Sequence, residues 1–209
     1  MESIAILGGT FDPIHVGHLR LAVGLQNKGV EKVILLPNNI PPHRPQPLAT
    51  GQQRMAMLEH AITNLKDVEI SDIELSSERV SYTAVTVSLL RTQYPDRSLI
   101  WVMGADAWNG FSNWYKPQDI LDKANIAVIN RNGFPCQSSN HSINSDLKFK
   151  TCSLEQLVQE RSGHVSFIEL PELNISSTDL RQAISRGDNI QYLVPDAVLG
   201  YITQSHLYQ

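Results

Sequence analysis

Short apolar runs that stop at glycine or proline alternate along this chain with stretches whose apolar residues recur every three or four positions. Ser3-Ile4-Ala5-Ile6-Leu7 ends at Gly8 and reads as a buried strand. Leu19, Ala22, Val23 and Gln26 follow at helical spacing, with Gly29 as the stop. Lys32 to Leu36 is a second buried strand, closed by Pro37. Strand, helix, strand in so short a span is a βαβ unit, whose strands are expected to be parallel. Residues 37–48, PNNIPPHRPQPL, hold five prolines and predict an irregular, stiffened loop. A helix is predicted over Gln52 to Asn64, with Met55, Leu58, Ala61 and Ile62 on one face. Val68 to Leu75 alternates and reads as a strand. Ser81 to Gln93 reads as a helix with Tyr82, Val85 and Leu89 facing inward. Leu99 to Met103, ending at Gly104, is another buried strand, and Ile126–Ile129 and Val165–Ile168 follow.

The pattern weakens between Arg131 and Gly163. Residues 132–163 read as an insertion of loop character with a helix over Leu154 to Gln159. The C-terminal part, 176–209, holds two helices, Ser177 to Ser185 and Ala197 to Ser205, the second opened by Pro195. Alternating strands and helices imply a three-layer α/β fold with a mostly parallel sheet, in a single domain spanning 1–209.

Composition narrows the function classes. Of 209 residues, 42% are hydrophobic and 18% charged, a globular balance. The net charge of −4 supplies no broad basic face for nucleic acid, yet leaves a local phosphate pocket open. Cys136 and Cys152 form no C-x-x-C pair and read as reduced thiols. No run of 18 or more apolar residues occurs, so no membrane span is expected. No basic stretch followed by a long apolar one opens the chain, and a cytoplasmic protein is expected.

Two segments concentrate candidate chemistry. The first is GGTFDPIHVGH, residues 8–18. Gly8 and Gly9, like Gly104, stand at carboxyl ends of predicted parallel strands, where open sheets bind ligands. Glycine there lets backbone N–H groups approach an anion. The pattern is neither G-x-G-x-x-G nor a P-loop. His15 and His18, three apart, can share one face at a helix N-terminus, an arrangement suited to a polyphosphate. Two ordinary surface histidines remain an alternative. Zinc is a weaker one, because H-E-x-x-H is absent and no Cys or third His is adjacent. The second segment is Asn174-Ile175-Ser176-Ser177-Thr178-Asp179-Leu180-Arg181. Ser176 or Ser177 can cap the following helix, and Ser176-x-x-Asp179 has capping-box spacing. Capping uses one hydroxyl, which leaves a Ser, a Thr and Arg181 as donors for phosphate. Two helix N-termini meeting at one crevice would grip a triphosphate from both sides.

GGTFDPIHVGH with a downstream ISSTDLR resembles the nucleotidyltransferase superfamily, whose Rossmann-like fold also underlies class I aminoacyl-tRNA synthetases. His15-Val16-Gly17-His18 matches its His-x-Gly-His signature. The chain is most similar to the bacterial nicotinate-nucleotide adenylyltransferases. Leu36-Pro37-Asn38-Asn39-Ile40-Pro41-Pro42-His43-Arg44, Ser81-Tyr82-Thr83, Gly104-Ala105-Asp106, Asn113-Trp114-Tyr115 and Leu193-Val194-Pro195 carry that likeness. It runs from Ile4 to near the end and leaves 132–163 unmatched, so family-based oligomer contacts are not carried over.

The resemblance implies adenylyl transfer from ATP to nicotinic acid mononucleotide, giving deamido-NAD and pyrophosphate, with Mg²⁺ brought by ATP and no metal held by the protein. It implies His15, His18 and Arg181 as catalytic. ATP would meet Gly8, Gly9, Gly104, Asp106, Ile175, Ser176, Ser177 and Arg181. The nicotinate nucleotide would meet Thr10, Phe11, His43, Arg44, Thr83, Ala84, Trp114 and Tyr115. A phosphate nucleophile is already ionised and needs no general base, so positioning and positive potential carry the chemistry. Trp114 stacking on a pyridinium has a cation–π component, with core packing as its alternative. Tyr82 is expected in the core, and His60, His141, His164 and His206 at surface or structural positions. Arg131, just after a strand, is a further phosphate candidate. Transfer to nicotinamide mononucleotide or phosphopantetheine is the rival chemistry, and a nucleotide sensor without catalysis is the rival class. Pantetheine offers no ring for Trp114, and the intact His-x-Gly-His and Arg181 weigh against a silent sensor. Partners are expected to be small molecules, not nucleic acid or membrane, with any oligomer unassigned.

Overall fold

The computed structural model describes residues 2–39, 46–77, 81–130, 146–171 and 173–209. Among the described residues, seven strands form one sheet in the order β3-β2-β1-β4-β5-β7-β6, and every pairing is parallel. They are β1 (Ser3–Gly9), β2 (Lys32–Pro37), β3 (Val68–Ile70), β4 (Ser98–Gly104), β5 (Asn125–Asn130), β6 (Lys150–Thr151) and β7 (His164–Glu169). The helices are α1 (Val16–Asn27), α2 (Gly51–Ile62), α3 (Thr83–Gln93), α4 (Ala105–Asn109), α5 (Pro117–Lys123), α6 (Leu154–Leu157), α7 (Ser177–Ser185) and α8 (Asp196–Gln204).

Successive side chains of a strand point to opposite faces, and here that alternation builds two cores. Ala5, Leu7, Val33, Leu35, Ile100, Val102, Ala127 and Ile129 face a layer made by α1, α2, α6, α7 and α8. Ile4, Ile6, Ile34, Leu36, Leu99, Trp101, Ile126 and Val128 face α3, α4 and α5. A sheet covered on both faces needs apolar residues at every strand position, which is why the strands read as continuous runs.

Three expectations are corrected. The strand predicted over Val68 to Leu75 stops at Ile70. Ile70 pairs with Leu35, so continuing the register would bring Asp72 opposite Pro37, which has no N–H to offer. The chain turns instead, with Ser76 N–H donating to the Asp72 carbonyl at 2.9 Å. On α3 the buried stripe is Ala84, Val87 and Leu90, while Val85 and Leu89 are exposed. The helix carries two apolar stripes, and the sheet takes the one that also holds Arg91. Tyr82 is therefore not in the core; it is 38% exposed and lies against Tyr115. Of the 132–163 segment, residues 146–163 are described, and they join the sheet: β6 pairs with β7, and α6 packs on the α1 side.

Arg91 shows how that layer is tied down. Its guanidinium donates to five backbone carbonyls, those of Tyr94, Pro95, Arg97, Lys123 and Arg161, at 2.7–3.2 Å. Burial pushes its pKa down to about 10, so it remains charged at neutral pH. Arg91→Met leaves those carbonyls without their donor and is expected to cost about 3 kcal/mol in urea unfolding. Arg91→Lys is expected to recover less than half, because one ammonium cannot reproduce the planar fork. Near-equal stability of Arg91→Lys and wild type would contradict this account.

Candidate active site

β1 is the hinge of the sheet order. The chain moves one way from β1 to β2 and β3, then returns to β1's other side with β4. A crevice is expected outside the carboxyl ends of strands at such a reversal. Gly8 and Gly9 end β1 there, and Gly104 ends β4.

The turn after β1 folds back on itself. Phe11 has φ 51° and is 1% exposed, and its ring lies where a side chain on Gly9 would stand: a Cβ there would sit 3.0 Å from it. Phe11 thus shapes the turn from beneath. The Asp12 side chain is buried, accepting from Leu48 N–H at 2.8 Å and Ala49 N–H at 3.0 Å. Arg54 Nη1 donates to the Thr10 and Asn38 carbonyls, both at 2.8 Å, clamping the end of β1 to the end of β2.

His15 precedes α1 and packs over Gly17, where a Cβ would meet its Nδ1 at 2.9 Å. It is 5% exposed, Nδ1 is buried with no hydrogen-bond partner, and burial lowers its pKa to about 4. It is therefore neutral at pH 7, because desolvation disfavours the protonated ring. The His18 ring stacks on it at 3.7 Å and 25°, and His18 Nδ1 accepts the His15 backbone N–H at 3.3 Å. As an acceptor Nδ1 carries no proton, which makes Nε2 the donor nitrogen.

The second motif reaches the first. Ser176 caps α7, accepting from Asp179 N–H at 3.1 Å. Ser177 Oγ donates to the Pro13 carbonyl at 2.9 Å, and Arg181 Nη1 donates to the Asp12 carbonyl at 2.7 Å. Arg181 Nη1 also stands 3.7 Å from Asp12 Oδ2, and Nη2 donates to Thr178 Oγ1 at 3.3 Å. The Ser177 hydroxyl and part of Arg181 are thus engaged by the turn, not left spare as the sequence pattern implied. Ile175 is half-buried just before the cap.

The other candidates line the β4 side. Gly104 caps α4, with Asp106 exposed in the first turn. Thr83 opens α3, followed by the buried Ala84. Trp114 is half-buried on Phe111 at 5.4 Å, so it has a packing role whatever else it does. Tyr115 meets Tyr82 at 4.7 Å, which brings the 114–115 segment to the start of α3. Asn39 N–H donates to Ser81 Oγ at 3.3 Å and links that region to the end of β2. His43, Arg44 and Arg131 lie outside the described residues, as do His141 and Cys136.

Three residues of the site were not among those expected: Asp12, Arg54 and Tyr208. Tyr208 donates its hydroxyl to Asp12 Oδ1 at 2.8 Å. Arg54 left a trace in the sequence, because it shares its helix face with Met57, Leu58 and Ala61 at spacings of three, four and seven. A cation on an apolar stripe needs partners. Among the described residues, no group of three or more His, Cys, Asp or Glu could hold a metal ion, and no helix is long and apolar enough to cross a membrane.

A family model described as cytidylyltransferase-like matches residues 6–183. A protein of Escherichia coli named nicotinate-nucleotide adenylyltransferase is 38% identical over 213 aligned positions, covering 100% of both chains. One from Shigella boydii serotype 4, named "Probable nicotinate-nucleotide adenylyltransferase", is 39% identical over the same span and coverage. Among solved structures, the Plasmodium falciparum nicotinic acid mononucleotide adenylyltransferase complexed with NaAD matches with a TM-score of 0.75 at 17% identity, over 100% of this chain and 98% of that one. The same parasite enzyme complexed with APC gives 0.73 at 18%, with the same coverage. These structural likenesses speak to the fold.

The buried His15 makes stability depend on pH. With a pKa near 6.5 unfolded and about 4 folded, the unfolded chain binds a proton that the folded chain refuses. Its contribution is complete above pH 6.5 and is lost as pH falls toward 4. Between pH 7 and 4.5, wild type is expected to lose about 2 kcal/mol more than His15→Asn, read by urea unfolding at each pH. Parallel losses in the two proteins would contradict a buried, neutral His15.

Proposed function

The chain belongs to the cytidylyltransferase-like family and, by its full-length relatives, to the nicotinate-nucleotide adenylyltransferases, and from that premise we propose how its own residues carry the reaction. The enzyme moves the adenylyl group of ATP to nicotinic acid mononucleotide. A phosphate oxygen of the mononucleotide bonds to the α-phosphorus of ATP, the bond to the β-phosphate oxygen breaks, and its electron pair leaves with pyrophosphate. The nucleophile is already ionised, so no proton has to be taken from it. What the protein must do is hold two anions in line and stabilise charge on the leaving group.

The observation that best supports this division of labour is the meeting of the two motifs, Ser177 on the Pro13 carbonyl and Arg181 on the Asp12 carbonyl. It sets the N-terminus of α7 beside that of α1, so two positive helix ends share one crevice. In this reading His18 donates from Nε2 to phosphate oxygens, and neutral His15 fixes the plane of His18 by stacking. Arg181 faces the β- and γ-phosphates, with Ile175, Ser176 and Ser177 supplying the backbone around them. Gly8 and Gly9 take the phosphate site between the substrates, and Gly104 and Asp106 take the adenosine side. Thr10, Thr83, Ala84, Trp114 and Tyr115 take the nicotinate nucleotide, with Phe11 shaping the turn beneath. N–H donors there suit a carboxylate better than a carboxamide NH₂. His43 and Arg44 are assigned to the mononucleotide phosphate from their place in the sequence motif.

Magnesium, a hard cation suited to phosphate oxygens, would be brought by ATP and would supply positive charge to offset that of the pyrophosphate, beside Arg181 and the helix ends. One nucleotidyltransferase domain acting in the cytoplasm, with ATP and the mononucleotide as its partners, completes the reading.

His18→Ala is expected to lower kcat about 100- to 1000-fold with little change in the KM for ATP. Near-normal turnover in that variant would remove His18 from the chemistry. Comparing kcat/KM for the acid and amide mononucleotides tests the substrate assignment. The acid is expected to win by more than about tenfold, and a preference for nicotinamide mononucleotide would overturn it.

A further inference from the structure

Asp12 carries more partners than a loop residue needs. Oδ1 accepts from Ala49 N–H at 3.0 Å and from the Tyr208 hydroxyl at 2.8 Å. Oδ2 accepts from Leu48 N–H at 2.8 Å and faces Arg181 Nη1 at 3.7 Å. Arg181 makes its short bond elsewhere, to the Asp12 backbone carbonyl at 2.7 Å. A buried carboxylate beside a guanidinium ordinarily closes into a bidentate pair. Here the pair stays open, because the other donors hold the carboxylate in a different orientation.

Tyr208 reaches Asp12 at a cost in backbone conformation. It follows α8 with φ 66°, and His206 has φ 50°, so two residues in three are left-handed without being glycine. Leu207 between them is buried, and its N–H returns to the Ile202 carbonyl at 3.0 Å. The phenol also lies 4.0 Å from Met57 Sδ on α2. Burial first, and the Asp12 charge second, raise the Tyr208 pKa above its ordinary value, so the hydroxyl keeps the proton it donates.

We propose that Tyr208 is a positioning residue for adenylyl transfer: by sharing the Asp12 carboxylate it keeps Arg181 out of a tight ion pair and available to the phosphates of ATP. This rests on the reading of Arg181 as a phosphate ligand. Without the hydroxyl, Oδ1 loses one of its two partners and the carboxylate can rotate toward Arg181. The guanidinium is then drawn inward and partly neutralised. The binding of ATP suffers, although Tyr208 touches no substrate.

Four proteins test it: wild type, Tyr208→Phe, Arg181→Gln and the double variant. Each is assayed for kcat/KM of ATP at saturating nicotinic acid mononucleotide, and by calorimetry for the Kd of a non-hydrolysable ATP analogue, with thermal unfolding followed alongside. Tyr208→Phe is expected to lower kcat/KM about five- to tenfold, mainly through KM, and to weaken analogue binding by a similar factor. In the Arg181→Gln background it should add less than about twofold. A purely structural tyrosine would give the same factor in both backgrounds, and that result, or unchanged ATP kinetics in Tyr208→Phe, overturns the proposal. If wild type formed no deamido-NAD, the assigned reaction would fall, while the analogue-binding cycle would still judge the Tyr208–Asp12–Arg181 network.

Discussion

The docking of α7 onto the turn that follows β1 is the contact on which the site depends. Two helix N-termini brought together repel one another, since each carries partial positive charge. In this chain the repulsion is offset by acceptors placed between them: the carbonyls of Asp12 and Pro13 and the Asp12 carboxylate. The sheet's contribution is to hold those acceptors at the carboxyl end of β1, between β2 and β4. A turn of different shape would leave α7 without a seat, and the crevice with one positive wall instead of two.

Three buried basic residues meet different fates for one reason. Arg54 and Arg91 lose solvation but keep their charge, because their pKa begins high and backbone carbonyls accept from Arg54 Nη1 and from all three Arg91 nitrogens. His15 begins near neutrality, has no partner at Nδ1, and gives up its proton instead. Of the three, the arginines carry the charge, and the uncharged His15 ring stacks against His18. A motif of two histidines thus holds two unlike environments.

Much of the architecture was legible in the chain. Strands sealed on both faces announce themselves as apolar runs, and the runs at Ser3, Lys32, Leu99, Ile126 and Val165 all became central strands. α7 has the bounds its sequence predicts, Ser177–Ser185, because Ser176 marks the cap. The inward face of α3 is not legible in the sequence, because two apolar stripes compete on it and only tertiary packing chooses between them. β6, Lys150–Thr151, has no signal of its own; it exists because β7 lies beside it. In the site, glycines, histidines and the ISSTDLR segment were visible as local patterns. Tyr208 was not, since its partner Asp12 stands 196 positions away and no spacing rule spans that distance.

The margins of the sheet carry a further consequence. Among the described residues, one edge is β3, three residues long, and the other is β6, two residues long. An exposed edge is a template on which another chain can add a strand, and its risk grows with its length. Stubs of this size offer a passing strand too few unpaired amides and carbonyls to nucleate a ladder. The longest strands, β1 and β4, lie at the centre of the sheet, and the margins that a passing strand would meet are poor seeds.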